Sequence, residues 1–170
     1  DATTGTNVFK WSGATFDLDQ TLTTAIQGRE LRSFVVGGED YVVVSNILAG
    51  STVYQRRDSS FVPVQVIAST GGGAHGATVV QRNESAQTAL KQSVDAPKSD
   101  TWLFIAHYIG GTQAHPVVRR SSSAYRWAGS GFVWVTDYPS NASATTLVWT
   151  AGSVTYASVS NEATTDFNYE

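Results

Sequence analysis

Three histidines, two alternating acids and a surplus of aromatic rings are the side chains of this 170-residue sequence that could do chemistry. His75 sits in the run Gly71-Gly72-Gly73-Ala74-His75-Gly76, His107 ends an apolar stretch, and His115 precedes Pro116. Similar stretches end in Asn46 and Asn161 where this one ends in His107, so a hydrogen bond that fixes a turn is the role expected there rather than catalysis. The glycine run is expected to be a loop or hinge, since a phosphate cradle would need Lys-Ser or Lys-Thr after it inside a βαβ unit. Ala128-Gly129-Ser130-Gly131-Phe132 has the glycines of a nucleophile elbow but not its strand-to-helix setting. Asp17 and Asp19 alternate along one strand and so share a face, where two carboxylates could cleave a glycosidic bond or bind Ca²⁺. No third acid stands near them in sequence, and they read as a solvated face. Neither a metal nor a cofactor is expected.

The five Trp and seven Tyr accompany few charges. Those that recur at matched offsets, such as Tyr41, Trp102, Tyr156, Phe16, Phe61 and Phe132, are expected to fill the core. Tyr108, Trp134 and Tyr138 do not follow the repeat, and Trp134 shares a strand face with Phe132. A flat ring stacks on the apolar side of a sugar while charged and polar groups bond its hydroxyls. Asp137, Arg119 and His115 are placed to supply such groups. The candidate ligand-binding set is therefore Tyr108, His115, Arg119, Trp134 and Asp137.

The elements that must position these residues are short strands. Asn7 to Trp11, Thr15 to Thr23, Arg32 to Val36, Tyr41 to Ser45, Thr52 to Arg56 and Phe61 to Ile67 are β-branched or aromatic runs separated by Gly, Ser and Asp. Gly37-Gly38-Glu39-Asp40 and Ala151-Gly152-Ser153 suit hairpin turns. One short helix is expected over Glu84 to Val94, capped by Asn83 and followed by Pro97.

Two patterns recur three times each. Tyr41, Trp102 and Tyr156 each stand five positions before Asn46, His107 and Asn161; Phe9-Lys-Trp11, Tyr54-Gln-Arg56 and Tyr125-Arg-Trp127 each lead, five residues beyond, to Phe16, Phe61 and Phe132. Gln20 and Gln65 follow Phe16 and Phe61 by four residues, and Thr136 takes that place after Phe132. Phe34 and Trp149 precede Tyr41 and Tyr156 by seven, but Asp95 precedes Trp102, so that strand is expected to be shifted toward Val94 or replaced. Insertions are expected from about Ala74 to Asp100 and from Tyr108 to Ser123.

Charged residues are only 15% of the chain and the net charge is −3, which excludes a nucleic-acid-binding surface. No apolar run approaches the ~20 residues needed to span a bilayer. The absence of cysteine leaves packing as the source of stability. Two Asn-x-Ser sequences, at Asn83 and Asn141, and a first residue that is not Met lead to the expectation of a secreted protein.

The repeating unit resembles the EAR, or epitempin, repeat, in which an aromatic-led strand ending in Asn precedes a Ser-x-x-Tyr-x-Trp strand, a glycine turn and a Phe-x-x-x-Gln strand. Gly37-Gly38-Glu39-Asp40-Tyr41-Val42-Val43-Val44-Ser45-Asn46, Ser51-Thr52-Val53-Tyr54 and Phe61-Val62-Pro63-Val64-Gln65 carry the likeness most closely. It implies a secreted or extracellular protein of the propeller class that binds partners without catalysis. The fold expected is all-β, a single domain of three repeated four-stranded antiparallel units, propeller-like, with one short helix. The units span about 29–72, 75–140, and 145–170 closing with 1–25. A β-prism or β-trefoil-like three-fold closure is the alternative, and a homodimer sharing one propeller is permitted. The function expected is carbohydrate recognition, with glycans or glycoproteins as partners. EAR-type protein–protein adhesion to a receptor is the first alternative and a glycoside hydrolase using Asp17 and Asp19 the second.

Overall fold

A computed structural model describes residues 5–23, 28–47, 50–68, 72–82, 100–111, 116–117, 121–151 and 154–161. Among them the structure is all-β and antiparallel. β1 (Thr6–Trp11) and β2 (Phe16–Leu22) form one hairpin. β3 (Gly28–Val36), β4 (Glu39–Asn46), β5 (Ser51–Arg57) and β6 (Ser60–Ile67) form a four-stranded sheet in chain order. β7 (Gly72–Arg82), β8 (Asp100–Gly111), β10 (Ser122–Trp127) and β11 (Phe132–Tyr138) form the next, with the two-residue β9 (Pro116–Val117) paired to the end of β8. β12 (Ser143–Ala151) and β13 (Val154–Asn161) close the row as a second isolated hairpin. No helix occurs among the described residues, and none there is long and apolar enough to cross a membrane. The helix expected over Glu84 to Val94 lies outside them.

The matched offsets of the sequence become matched backbone. In β1–β2, β5–β6 and β10–β11 the ladders pair Trp11 with Phe16, Arg56 with Phe61 and Trp127 with Phe132. Each ladder then slips by one residue at the same place, leaving Asp19, Val64 and Val135 as the extra residue of a β-bulge. The three turns share a left-handed residue at one position, Gly13 (φ 102), Asp58 (φ 53) and Gly129 (φ 93). Gly37 (φ 63) and Gly38 (φ 85) make the tight turn between β3 and β4, where two successive left-handed residues match the twist of the strands they join.

Neighbouring sheets are tied by one device used twice. Gln20 Nε2 donates to the Phe61 carbonyl at 2.7 Å, and the Phe61 N–H donates to Gln20 Oε1 at 2.8 Å. Gln65 holds Phe132 in the same two-bond grip, at 2.7 and 2.8 Å. A primary amide has one donor face and one acceptor face, so it completes both backbone groups of a residue that its own strand leaves free.

The core lies between sheets. Phe34, Val43, Val53 and Ile67 on one side meet Leu103, Ile105, Tyr125, Trp127 and Phe132 on the other, while Val42, Val44 and Tyr54 meet Leu22 and Val8. Because the β3–β6 sheet is covered on both faces, Val42-Val43-Val44 reads as an unbroken apolar run rather than an alternation.

The glycine-rich run corrects one expectation. Gly72 onward is a strand, not a hinge: β7 pairs with β8 from Gly72–Gly110 to Arg82–Asp100, and two register shifts absorb its irregular start. Its glycines answer crowding. A Cβ at Gly73 would overlap the Ile47 carbonyl, and one at Gly76 would lie 2.6 Å from the Ala144 carbonyl. β7 also supplies the strand that the sequence had lost. Val80 pairs with Trp102, as Phe34 pairs with Tyr41 and Trp149 with Tyr156, so the strand lies before residues 83–99 rather than near Val94. The insertion expected from Ala74 thus begins only after Arg82, and the one expected from Tyr108 begins after β8 has run on to Gly111.

Candidate functional site

Trp134 and Asp137 are three residues apart and would face opposite sides of a regular strand. The bulge at Val135 changes that. Trp134 pairs with Tyr125 and Asp137 with Ser123, two residues of β10 that share a face, so the indole and the carboxylate come to one side. Trp134 Nε1–H then donates to Asp137 Oδ1 at 2.9 Å. Ser123 Oγ–H donates to the same oxygen at 2.7 Å. The tie fixes the plane of an indole that remains 59% exposed.

Behind Ser123 stands His107, buried within β8, with Nε2 3.3 Å from Ser123 Oγ. Serine has one hydroxyl hydrogen, and here it goes to the carboxylate, so the imidazole contact requires Nε2–H to donate. The relay therefore runs His107 to Ser123 to Asp137. Nucleophilic serine chemistry needs the imidazole between serine and carboxylate, accepting the hydroxyl proton, and the order here is different. At the matching positions Asn46 Nδ2 donates to the Gly50 carbonyl at 2.8 Å and Asn161 Oδ1 accepts from the Asn141 N–H at 2.8 Å, both backbone groups, whereas the ring of His107 bonds the Ser123 side chain on the neighbouring strand rather than a turn.

These side chains line a cleft of about 460 Å³ between the β6 edge and the β10–β11 hairpin, bounded by Gln65, Ile67, Ser123, Tyr125, Trp134 and Asp137. Gln65 helps to shape it indirectly, because its amide is engaged by the Phe132 backbone two residues before Trp134. The Asp137 carboxyl is held below the usual carboxylate range by the Trp134 hydrogen bond first and the Ser123 hydrogen bond second, against a small opposing effect of burial. It is therefore ionised at neutral pH. Burial pushes the Tyr125 hydroxyl up; its hydrogen bond to Ser123 partly offsets this, and the Asp137 charge adds to it. Tyr125 stays a neutral phenol at the cleft floor. An ionised acceptor beside an exposed flat ring, over a neutral hydroxyl-bearing floor, suits a neutral polyhydroxylated ligand.

Of the five residues expected to bind ligand, Trp134 and Asp137 come together. Tyr108 does not join them. It follows His107 directly and faces the other side of β8, where its ring lies 5.1 Å from that of His75, whose Nδ1–H donates to the Ala144 carbonyl at 3.2 Å. His115 and Arg119 lie outside the described residues. Asp17 and Asp19 are exposed on β2, away from the cleft, and Asp17 Oδ1 accepts from Thr15 Oγ1 at 3.0 Å. Among the described residues no cluster of three or more His, Cys, Asp or Glu could hold a metal ion. Ser123, His107 and Tyr125 were not expected at this site, because only the pairing of β10 with β8 and β11 brings them to the Trp134 face. No protein-family model matches this chain, and no curated protein matches it.

Proposed function

We propose that this chain is a non-catalytic recognition protein that binds carbohydrate in the Trp134–Asp137 cleft. The observation that carries the reading is a single one: an exposed indole fixed edge-on by an ionised carboxylate whose Oδ2 accepts neither of the two bonds that fix it. The ring offers a face to the C–H side of a sugar, and Oδ2 is the natural acceptor for its hydroxyls. The order His107, Ser123, Asp137 argues against a serine nucleophile, and Asp137 is the single carboxylate among the described residues that line the cleft, where glycosidic cleavage uses two.

The likeness to EAR repeats belongs to the same proposal. It is supported by three hairpins that agree in pairing, bulge position and left-handed turn residue. In this reading each four-stranded sheet is a blade of a propeller-like array and the protein acts outside the cell, where the Asn83 and Asn141 sequences could carry glycans.

A glycan array followed by titration of the retained sugar tests the function. Trp134→Ala is expected to weaken binding by at least about thirtyfold, the cost of a buried aromatic anchor. Asp137→Asn should weaken it less and alter which hydroxyl pattern is accepted. An array that retains no glycan at high protein concentration overturns the reading, as does Trp134→Ala binding like the parent. Recovery of a protein partner that survives deglycosylation would favour adhesion instead.

A further inference from the structure

We propose that copies of this chain join head to tail, the free edge of β13 in one copy pairing with the free edge of β1 in the next to complete a four-stranded sheet. The two outer hairpins are complementary halves. β12–β13 matches β3–β4, and β1–β2 matches β5–β6, in ladder and in aromatic position. Among the described strands β13 and β1 each pair on one side only.

The occupant is specified by what covers the same surfaces inside the molecule. Phe34 and Tyr41 stack at 5.2 Å and are capped by Trp127 and Phe132 of the following sheet, with ring centroids 5.0 to 6.0 Å apart. Trp149 and Tyr156 repeat that stack at 5.5 Å and Trp11 and Phe16 repeat the cap at 5.0 Å, each pair exposed and, among the described residues, in contact with no further ring. A row of sheets continued by a second copy covers all four. Its Trp11–Phe16 hairpin would sit over Val80 and Trp102, and its Arg56–Phe61 hairpin over Trp149 and Tyr156. The contact is heterologous, so it closes as a ring of two or more copies or propagates as a filament.

The pairing register is fixed by precedent. β4 joins β5 with Tyr41 opposite Gln55 and Val43 opposite Val53. β8 joins β10 with Trp102 opposite Arg126 and Phe104 opposite Ala124. Both joins have the same offset, which transferred to the outer strands sets Tyr156 opposite Lys10, Ala157 opposite Phe9 and Ser158 opposite Val8. The grip between neighbours is the one part missing, because Thr136 stands where Gln20 and Gln65 stand.

The chain has no cysteine, so engineered pairs report without interference. Close and wide pairs alternate along an antiparallel ladder, so one of two successive pairs must suit a disulfide. The double variants Val8→Cys with Ser158→Cys, and Phe9→Cys with Ala157→Cys, should form a ladder of multimers of the 18.2 kDa chain on mild oxidation. The control Val8→Cys with Leu147→Cys should not. In sedimentation, Thr136→Gln should tighten association by about tenfold through two added backbone bonds, and Trp149→Asp should leave monomer, its thermal unfolding at low concentration lowered only by the loss of the cross-strand stack on Tyr156. A disulfide closed within the monomer, multimers no more abundant than in the control, or a parent that sediments as monomer at all concentrations up to about 100 μM, well above the Kd of a micromolar contact, overturns the proposal.

Discussion

The hairpins β10–β11 and β1–β2 share their register, their bulge and a left-handed glycine in the turn, yet they meet opposite fates. Trp127 in the first is 2% exposed and Trp11 at the matching place in the second is 54% exposed. Local sequence thus sets the shape of each hairpin, while the neighbouring sheet decides whether its rings become core or surface. Trp134 shows the third outcome. It lies on the covered face of β11, two residues past the buried Phe132, but where the β6 edge falls away it remains open above a cleft.

The largest effect that would sharpen this comparison is truncation of the two matched tryptophans. Trp127→Ala should cost about 3–5 kcal/mol in urea unfolding, whereas Trp11→Ala, examined at a concentration that keeps the chain monomeric, should cost within about 0.5 kcal/mol. Equal costs would mean that the two hairpins are packed alike. Next come the amide grips. Gln65→Ala leaves the Phe132 N–H and carbonyl without partners and should cost about 1–3 kcal/mol, with Gln20→Ala lower because the β1–β2 hairpin it secures carries less buried surface. A Gln20 variant that unfolds before the Gln65 variant would reverse the order.

The turns separate the hairpins more finely. Gly129→Ala places a Cβ at φ 93 and should cost about 1 kcal/mol, while Asp58→Gly, at φ 53, should gain a few tenths. The reverse signs, by the same unfolding measurement, would mean that turn strain does not govern. The smallest effect is electrostatic. The Asp137 carboxyl is held below its ordinary value, so its contribution is complete above about pH 4 and is lost as pH falls through the lowered folded value. The stability gap between the parent and Asp137→Asn should therefore be small at neutral pH, since the group is mostly exposed, and should close on acidification. A gap that widens toward low pH would show the opposite sign.

Much of this was legible in the residues because each reading rested on short-range rules. Strand after strand follows β-branched runs, and the offsets from Phe16, Phe61 and Phe132 alone locate the hairpins. Gly72 to Gly76 misled because glycine is both the residue of hinges and the residue of close approach; only the Ile47 and Ala144 carbonyls beside β7 tell which applies. The site was half legible for a related reason. Trp134 and Asp137 stood out as residues without counterparts, but their spacing of three is unfavourable in a regular strand, and nothing in Val135 announces a bulge. Tyr108 looked equally distinctive, and its neighbour His107 took the cleft face instead.

The side-chain nitrogen of Trp134 offers the most direct test. In a ¹⁵N-labelled sample the five indole N–H signals can be assigned one by one through Trp→Phe variants and followed while a panel of monosaccharides is added. Binding in the cleft should move the Trp134 signal, whose hydrogen bond to Asp137 lies at the ligand edge, and leave the buried Trp127 signal in place. A Trp134 signal that no sugar moves would contradict the assignment of this cleft as a carbohydrate site.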